Sequence, residues 1–290
     1  MTAAPPRLLR PDAPGWPSRF AHLSEPPTAV WVWGACGAET PAVAVVGSRR
    51  ATVPGIEIAR SIGYELAACG VQVVSGLARG VDSAAHRGAL EAGGSTVAVL
   101  GCGVDVCYPP EEAALRDAIL ARGCLLSEEP LGAEPLGWRF PKRNRLIAAL
   151  AVAVVVVEAT VRSGALSTAR WAADLGREVL AVPGSIRSTR SDGTNRLIRD
   201  GARPFLDISD LIESVPDLAA REPLAGPAPA SGLSPELEQL LLGLGPDPVH
   251  PDDIGVALGL EAPTLAARLS ALELAGAVMS LPGGLVARRV

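Results

Sequence analysis

Val43-Ala-Val-Val-Gly-Ser-Arg-Arg-Ala-Thr-Val-Pro-Gly55 is the stretch whose reading decides the fold. A short apolar run, Val43 to Val46, stops at Gly47, and a helix-length segment follows from about Val53 to Cys69. That is a strand, a loop and a helix. The unit recurs along the chain. Val71 to Val74 ends at Ser75-Gly76, and Thr96 to Leu100 ends at Gly101. Cys124 to Leu126, Val152 to Val157, and Glu178 to Val182 before Pro183-Gly184 complete the series. Near-continuous Val, Leu and Ala strands separated by amphipathic helical stretches describe a parallel sheet buried on both faces. The expected fold is α/β, an extended Rossmann-like doubly wound and mostly parallel sheet. Such sheets carry their sites at the carboxyl ends of the strands, where the glycines of this chain stand.

Working outward, the 290 residues suffice for one large and one small domain. After Val215 the composition turns to Pro, Ala, Gly and Ser with little apolar periodicity, which reads as a linker over 216–232. Beyond it, Pro235 to Leu242, Pro251 to Leu258 and Pro263 to Ala275 read as three short helices, and the tail as a hairpin turning at Pro282-Gly283-Gly284. Three helices and a hairpin make the plan of a winged helix. The expected division is 1–215 for the sheet domain with a short N-terminal lead-in, 216–232 for the linker and 233–290 for the winged helix.

Composition excludes several classes. Hydrophobic residues are 48% and charged residues 20% of the chain, unlike a disordered polymer. The longest apolar run, Leu146 to Val157, is too short for a membrane span, which needs about 20 residues. The first twelve residues lack the apolar region of a secretory signal, so a cytoplasmic location is expected. Five cysteines without a CxxC pair and three scattered histidines lead us to expect neither a disulfide framework nor a metal site. No nucleotide-binding fingerprint of the GxGxxG or GxxxxGK[ST] type is present, nor a GxSxG elbow, and no cofactor is expected. His86 falls within a helix starting near Asp82 and reads as structural. The net charge of −5 means that binding to a polyanion requires a local positive patch.

Such a patch stands at Trp138-Arg-Phe-Pro-Lys-Arg-Asn-Arg145: four cations in seven residues, with no acidic residue from Pro135 to Val157. Phe140, one of only ten aromatic residues, lies inside it. Cations that track phosphates with an aromatic face between them hold single strands without reading sequence. The bland alternative has Phe140 and Trp138 in the core and the arginines paired with carboxylates. Gly47-Ser48-Arg49-Arg50 adds glycine, a helix N-terminus and two cations, either a phosphate loop or a plain turn. Ser75 to Gly80 repeats the arrangement and places Arg79 beside flexible backbone, so the two loops are expected to share one phosphate-binding rim. Ser163-Gly164, opening a helix after the strand ending at Val157, suits ordinary capping or phosphate approach.

Taken in order, these segments resemble the DNA-processing protein A family, DprA or Smf. The resemblance runs from Trp16 to Val215 and rests on Gly47-Ser-Arg49, Ser75-Gly-Leu-Ala-Arg-Gly-Val-Asp-Ser-Ala-Ala-His86, Gly101 to Pro109, Ser127-Glu-Glu-Pro130, Phe140-Pro-Lys-Arg-Asn-Arg-Leu-Ile147, Glu158, Ser163 to Ala169, Pro183-Gly184 and Gly193 to Ala202. Leu233 to Val290 resembles the winged-helix domain at the C-terminus of some members. Where the family often carries Tyr-Gly after the first loop, this chain has Pro54-Gly55; its Ala149-Leu-Ala151 replaces the usual Gly-Leu-Ser. The resemblance implies a homodimeric single-stranded DNA-binding recombination mediator that protects incoming strands and helps load the RecA recombinase during natural transformation. It implies DNA contacts from Gly47, Ser48, Arg49, Arg79, Arg139, Phe140, Lys142, Arg143, Asn144, Arg145, Ser163 and Gly164, and no catalytic residue.

The rival is a nucleotide-hydrolysing enzyme of the phosphoribohydrolase type, whose PGGxGTxxE loop supplies an acid-base glutamate. Here Pro183-Gly184 is followed by Ser-Ile-Arg and Gly193-Thr194 by Asn-Arg, so that glutamate is missing. The C-terminal segment has three cations, Arg268, Arg288 and Arg289, against seven acids, which suits partner docking or regulation better than duplex binding.

Overall fold

The computed structural model describes residues 4–37, 40–218, 234–244, 248–275, 277–281 and 284–288. Contacts divide the chain into two units, Met1–Leu224 and Ala225–Val290. The expected linker falls mostly outside the described residues; its first three, Pro216–Leu218, form a 3-10 turn whose Leu218 is buried in the first unit.

The first unit is built on nine strands: β1 (Arg7–Leu9), β2 (Val30–Gly34), β3 (Ala42–Val46), β4 (Gln72–Ser75), β5 (Thr96–Val99), β6 (Cys124–Ser127), β7 (Ala153–Val156), β8 (Glu178–Ala181) and β9 (Arg203–Pro204). Their order across the sheet is β1-β2-β6-β5-β4-β3-β7-β8-β9. From β6 to β9 all pairings are parallel, whereas β1 and β2 run antiparallel at one edge. The helices are α1 (Val53–Ala68), α2 (Val81–Glu91), α3 (Ala113–Arg122), α4 (Arg139–Leu150), α5 (Ala165–Asp174), α6 (Asp192–Arg199) and α7 (Ile208–Ser214).

Alternation along β3 explains the two layers. Val43 and Val45 face the core covered by α1, α2 and α7, while Ala44 and Val46 face the one covered by α4 and α5. Every residue of β3 to β7 is buried, which is why those strands read as largely apolar runs, broken only by Gln72, Ser75, Thr96 and Ser127 at their ends. The long run Leu146 to Val157 is divided: its first part ends α4 and its second forms β7. The chain winds outward from β3 through β4 and β5 to β6, then returns to lay β7 on the other side of β3. The crevice between the ends of β3 and β7 is therefore the topological switch point, where open α/β sheets receive ligands.

One expectation is corrected here. Cys36 and Cys124 form a disulfide, with Cα atoms 5.3 Å apart. Spacing could not reveal it, because 88 residues separate the pair and only the antiparallel register of β2 with β6 brings them together. No helix among the described residues is long and apolar enough to cross a membrane.

The second unit contains α8 (Pro235–Gly243), α9 (Pro251–Leu258), α10 (Ala262–Leu274) and an antiparallel hairpin of β10 (Val278–Leu281) and β11 (Leu285–Arg288). Leu240, Leu241, Ile254, Leu265, Leu269, Leu272, Val278 and Val286 close its core. Pro282 and Gly283 of the expected turn lie outside the described residues.

Candidate nucleic-acid interface

The loop from β3 to α1 is anchored from behind. Thr52 caps α1, its hydroxyl accepting from the Gly55 amide at 3.1 Å. Glu158, just past β7, accepts from the Thr52 amide at 3.0 Å and from its hydroxyl. This carboxylate explains Gly55, where a Cβ would come within 2.5 Å of Glu158 Oε1. Gly47 is required by packing as well, since its Cβ would meet Val81 Cγ2 at 2.7 Å. The Ser48 hydroxyl accepts from the Arg50 amide at 3.1 Å, and no acceptor among the described residues takes the Ser48 or Arg49 amide. Those two N–H groups remain for a ligand.

The loop from β4 to α2 differs. The Asp82 carboxylate accepts from the Gly76 amide at 3.1 Å and the Ala78 amide at 3.4 Å, so two of this loop's donors are already taken. Arg79 is exposed and ion-paired with Glu111. The two loops do meet, since Arg49, Arg50, Gly76, Ala78 and Arg79 line one recess of about 250 Å³, but within it an internal carboxylate already holds two amides of the second loop.

Helix α4 begins at the basic segment, and the helix distributes its cations around its circumference. Arg139 Nε lies 2.9 Å from Glu129, and Nη1 donates to the Glu134 carbonyl at 2.6 Å. Arg145 donates to both oxygens of Glu128 at 2.7 Å. Lys142 lies 3.4 Å from the same carboxylate and is half-exposed. Arg143 points inward and is only 6% exposed. It donates to the Gly76 carbonyl at 3.0 Å and to the Val99 carbonyl, tying together the ends of β4 and β5. Burial pushes its pKa down to about 10 and pushes the Asp82 carboxyl up, and the attraction between the two opposes both shifts. Asn144 reaches sideways, donating to Ser167 Oγ at 2.7 Å and the Gly164 carbonyl at 3.2 Å. The four cations of the segment are therefore not one free patch. Three have carboxylate partners contributed mainly by the segment after β6, and the fourth is a buried strut.

Phe140 is mostly buried. The Arg49 guanidinium lies over its ring, 5.1 Å from the centroid. Tyr108 stands beside it at 5.6 Å between centroids and 31° between planes. Ser163 Oγ accepts from the Ala165 amide at 3.3 Å, a turn bond just before α5, whose N-cap is Gly164; a Cβ on Gly164 would meet nothing.

These parts enclose a cavity of about 860 Å³ at the switch point. Of the expected residues, Gly47, Ser48, Arg49, Phe140, Arg143, Asn144, Ser163 and Gly164 line it; Arg79, Arg139, Lys142 and Arg145 do not. Sequence reasoning passed over Tyr108, Thr160, Thr189 and Arg190, which also line it. The rule that sites gather at strand carboxyl ends would have pointed to Arg190, in the loop after β8. His86 is fully buried beside Thr96, Nδ1 to Oγ1 2.7 Å, and its pKa is lowered to about 3 by desolvation, reinforced by Arg143 and Arg87.

Residues 7–216 match the family model described as DNA recombination-mediator protein A, and residues 224–284 match the DprA winged helix domain. The chain is 40% identical to the putative DNA processing protein DprA of Mycobacterium tuberculosis, over 93% of this chain and 74% of that protein. It is 36% identical to the protein Smf of Escherichia coli, over 97% of this chain and 77% of that protein. Among solved structures it resembles DprA from Streptococcus pneumoniae, with a TM-score of 0.69, 37% identity, and coverage of 72% of this chain and 74% of that one. It also resembles DprA from Helicobacter pylori, a structure described for its single-stranded DNA binding mode, with a TM-score of 0.67, 30% identity, and coverage of 75% and 97%.

Proposed function

The chain belongs to the DNA recombination-mediator protein A family, and from that premise we propose that it is a non-enzymatic mediator that binds single-stranded DNA in the cavity between β3 and β7. One observation carries the reading. Ser48, Arg49 and Phe140 line the same cavity at the switch point, with the Arg49 guanidinium over the Phe140 ring and the Ser48 and Arg49 amides without a protein acceptor among the described residues. Amides and a guanidinium suit a phosphate; a ring beside them suits a base. Overall charge is acidic, so the attraction is local to this mouth.

Within the expected set the roles divide. Ser48 and Arg49 face the phosphate, Gly47 lets their loop pack on Val81, and Gly164 leaves open space beside the strand. Phe140 faces a base. Arg143 and Asn144 hold the floor, and Ser163 steadies the turn that opens α5. Lys142, held by a single long contact, is the cation of α4 freest to swing to a phosphate, since exposed pairs are worth only about 0–1 kcal/mol. Arg79, Arg139 and Arg145 act at the margin through the order they impose. By family resemblance the protein works in the cytoplasm as a homodimer, protects incoming strands and delivers them to RecA during transformation, with the acidic C-terminal unit as a docking or regulatory module.

The test is the binding of labelled oligo-dT to the full chain, with duplex DNA and AMP as comparators. Tight oligo-dT binding without AMP turnover is expected. Cleavage of AMP, or equal affinity for duplex, would overturn the reading.

A further inference from the structure

The walls of the cavity differ in chemistry. Its lining includes the apolar Tyr108, Pro135, Phe140 and Pro141, with Tyr108 and Phe140 side by side, and the polar Thr160, Ser163, Thr189 and Arg190, the last held against Arg50. We propose that Arg190 contacts a backbone phosphate of the bound strand, so that the strand lies with its bases toward Phe140 and its phosphodiesters toward the loop after β8. This rests on the reading that the cavity holds single-stranded DNA.

Three observations support the assignment. The first is charge. Among the described residues no carboxylate lies within 4.0 Å of Arg49, Arg50 or Arg190, whereas Arg79, Arg139, Lys142 and Arg145 each have one. Arg49, Arg50 and Arg190 all line the cavity, so its mouth holds three arginines without an ion-pair partner among the described residues.

The second is orientation. Arg190 Nη1 donates to the Arg50 carbonyl, latching the loop after β8 onto the loop after β3. A neutral carbonyl does not cancel the positive charge, and a guanidinium has further donors to offer an anion. The third is order in the loop itself. Asn195 brackets Gly184, accepting from its amide at 3.1 Å and donating to its carbonyl at 2.9 Å. Consecutive turns close from Ser185 to Ser188 and from Ser188 to Ser191, each at 3.0 Å. The Gly193 amide then donates to the Ala159 carbonyl at 2.7 Å, fixing the start of α6 against the segment that carries Thr160 and Ser163. A cation held this way loses little freedom when a phosphate arrives.

The experiment measures oligo-dT affinity across a salt series for the full-length parent, Arg190→Ala, Arg190→Lys and Arg187→Ala, with Arg49→Ala as a reference for the cavity. Arg187 shares the loop but does not line the cavity. We expect Arg190→Ala to bind about tenfold more weakly at low salt and to lower the log–log salt slope by about 0.7, the contribution of one single-strand phosphate. Arg190→Lys should keep the parent slope, and Arg187→Ala should match the parent. An unchanged slope in Arg190→Ala, or a slope lowered equally in Arg190→Lys, would overturn the proposal and leave the latch to Arg50 as the residue's only role. If instead the parent fails to bind oligo-dT, or Arg49→Ala binds as well as the parent, the reading of the cavity itself fails. Melting curves confirm that each variant is folded.

Discussion

Replacing Phe140 separates stacking from packing. A base lying on the ring is worth roughly 1–3 kcal/mol, so Phe140→Ala should bind oligo-dT about 5- to 150-fold more weakly. The variant also strips Arg49 of the ring it lies over, at 5.1 Å. That contact is worth about 0.5–1 kcal/mol at an exposed site, and its loss lets the guanidinium wander from the Ser48 and Arg49 amides. No charge is removed, so the salt slope should hold even as affinity falls. The ring also packs against backbone, since a Cβ on Gly101 would come within 2.9 Å of it. Because most but not all of Phe140 is buried, truncation should cost somewhat less than the 3–5 kcal/mol lost from a full core, about 2–4 kcal/mol, and the melting temperature should fall by roughly 5–15 °C. Phe140→Leu decides between the roles: leucine restores much of the volume and none of the flat face. Fluorescence anisotropy with labelled oligo-dT should show Tyr and Trp variants near the parent and Leu near Ala. If Phe140→Leu binds as tightly as the parent, Phe140 is a packing residue and the stacking argument fails.

Arg143→Ala removes a buried cation that satisfies two carbonyls and faces Asp82. It should cost about 3–5 kcal/mol of stability, so any lost DNA binding must come with a melting point lower by roughly 10 °C; an unchanged melting point would mean the strut is dispensable. Lys142→Ala should leave stability within about 0.5 kcal/mol and lower the salt slope by about 0.7 if the lysine swings to a phosphate. A constant slope would mean that Glu128 holds it. His86 is neutral in the fold with a pKa near 3, against an ordinary value of 6.5. Between these values the unfolded chain binds the extra proton, so stability falls as pH drops, by about 2 kcal/mol at pH 5 from this residue alone. Denaturant titrations from pH 7 to pH 4 should show this slope in the parent and a shallower one in His86→Gln; equal slopes would show that His86 is not the group responsible.

The alternation of strands and helices and the doubly wound class were legible in the sequence. Each is written in local pattern: a buried strand needs a largely apolar run, and a helix start needs its cap and proline. The edge strands β1 and β2 were not legible, being short and set among prolines and glycines, nor was the division of Leu146 to Val157 between a helix and a strand, since apolar residues suit both. The larger gap concerns charge. Arg139 to Arg145 looks like one patch because it is contiguous, but a helix turns successive residues about 100° apart. Glu128 and Glu129, brought beside α4 by the sheet order, then pair with three of its four cations, and the fourth is driven inward to cap two strand ends. In the same way Asp82 takes two amides of the second glycine loop, and Arg190, unremarkable in sequence, is carried to the cavity by a turn 140 residues away from the loop it latches. Composition tells how many charges a chain has; which of them stay uncompensated depends on distances of a few ångströms between residues far apart in the chain, and those exist only once the sheet has assembled.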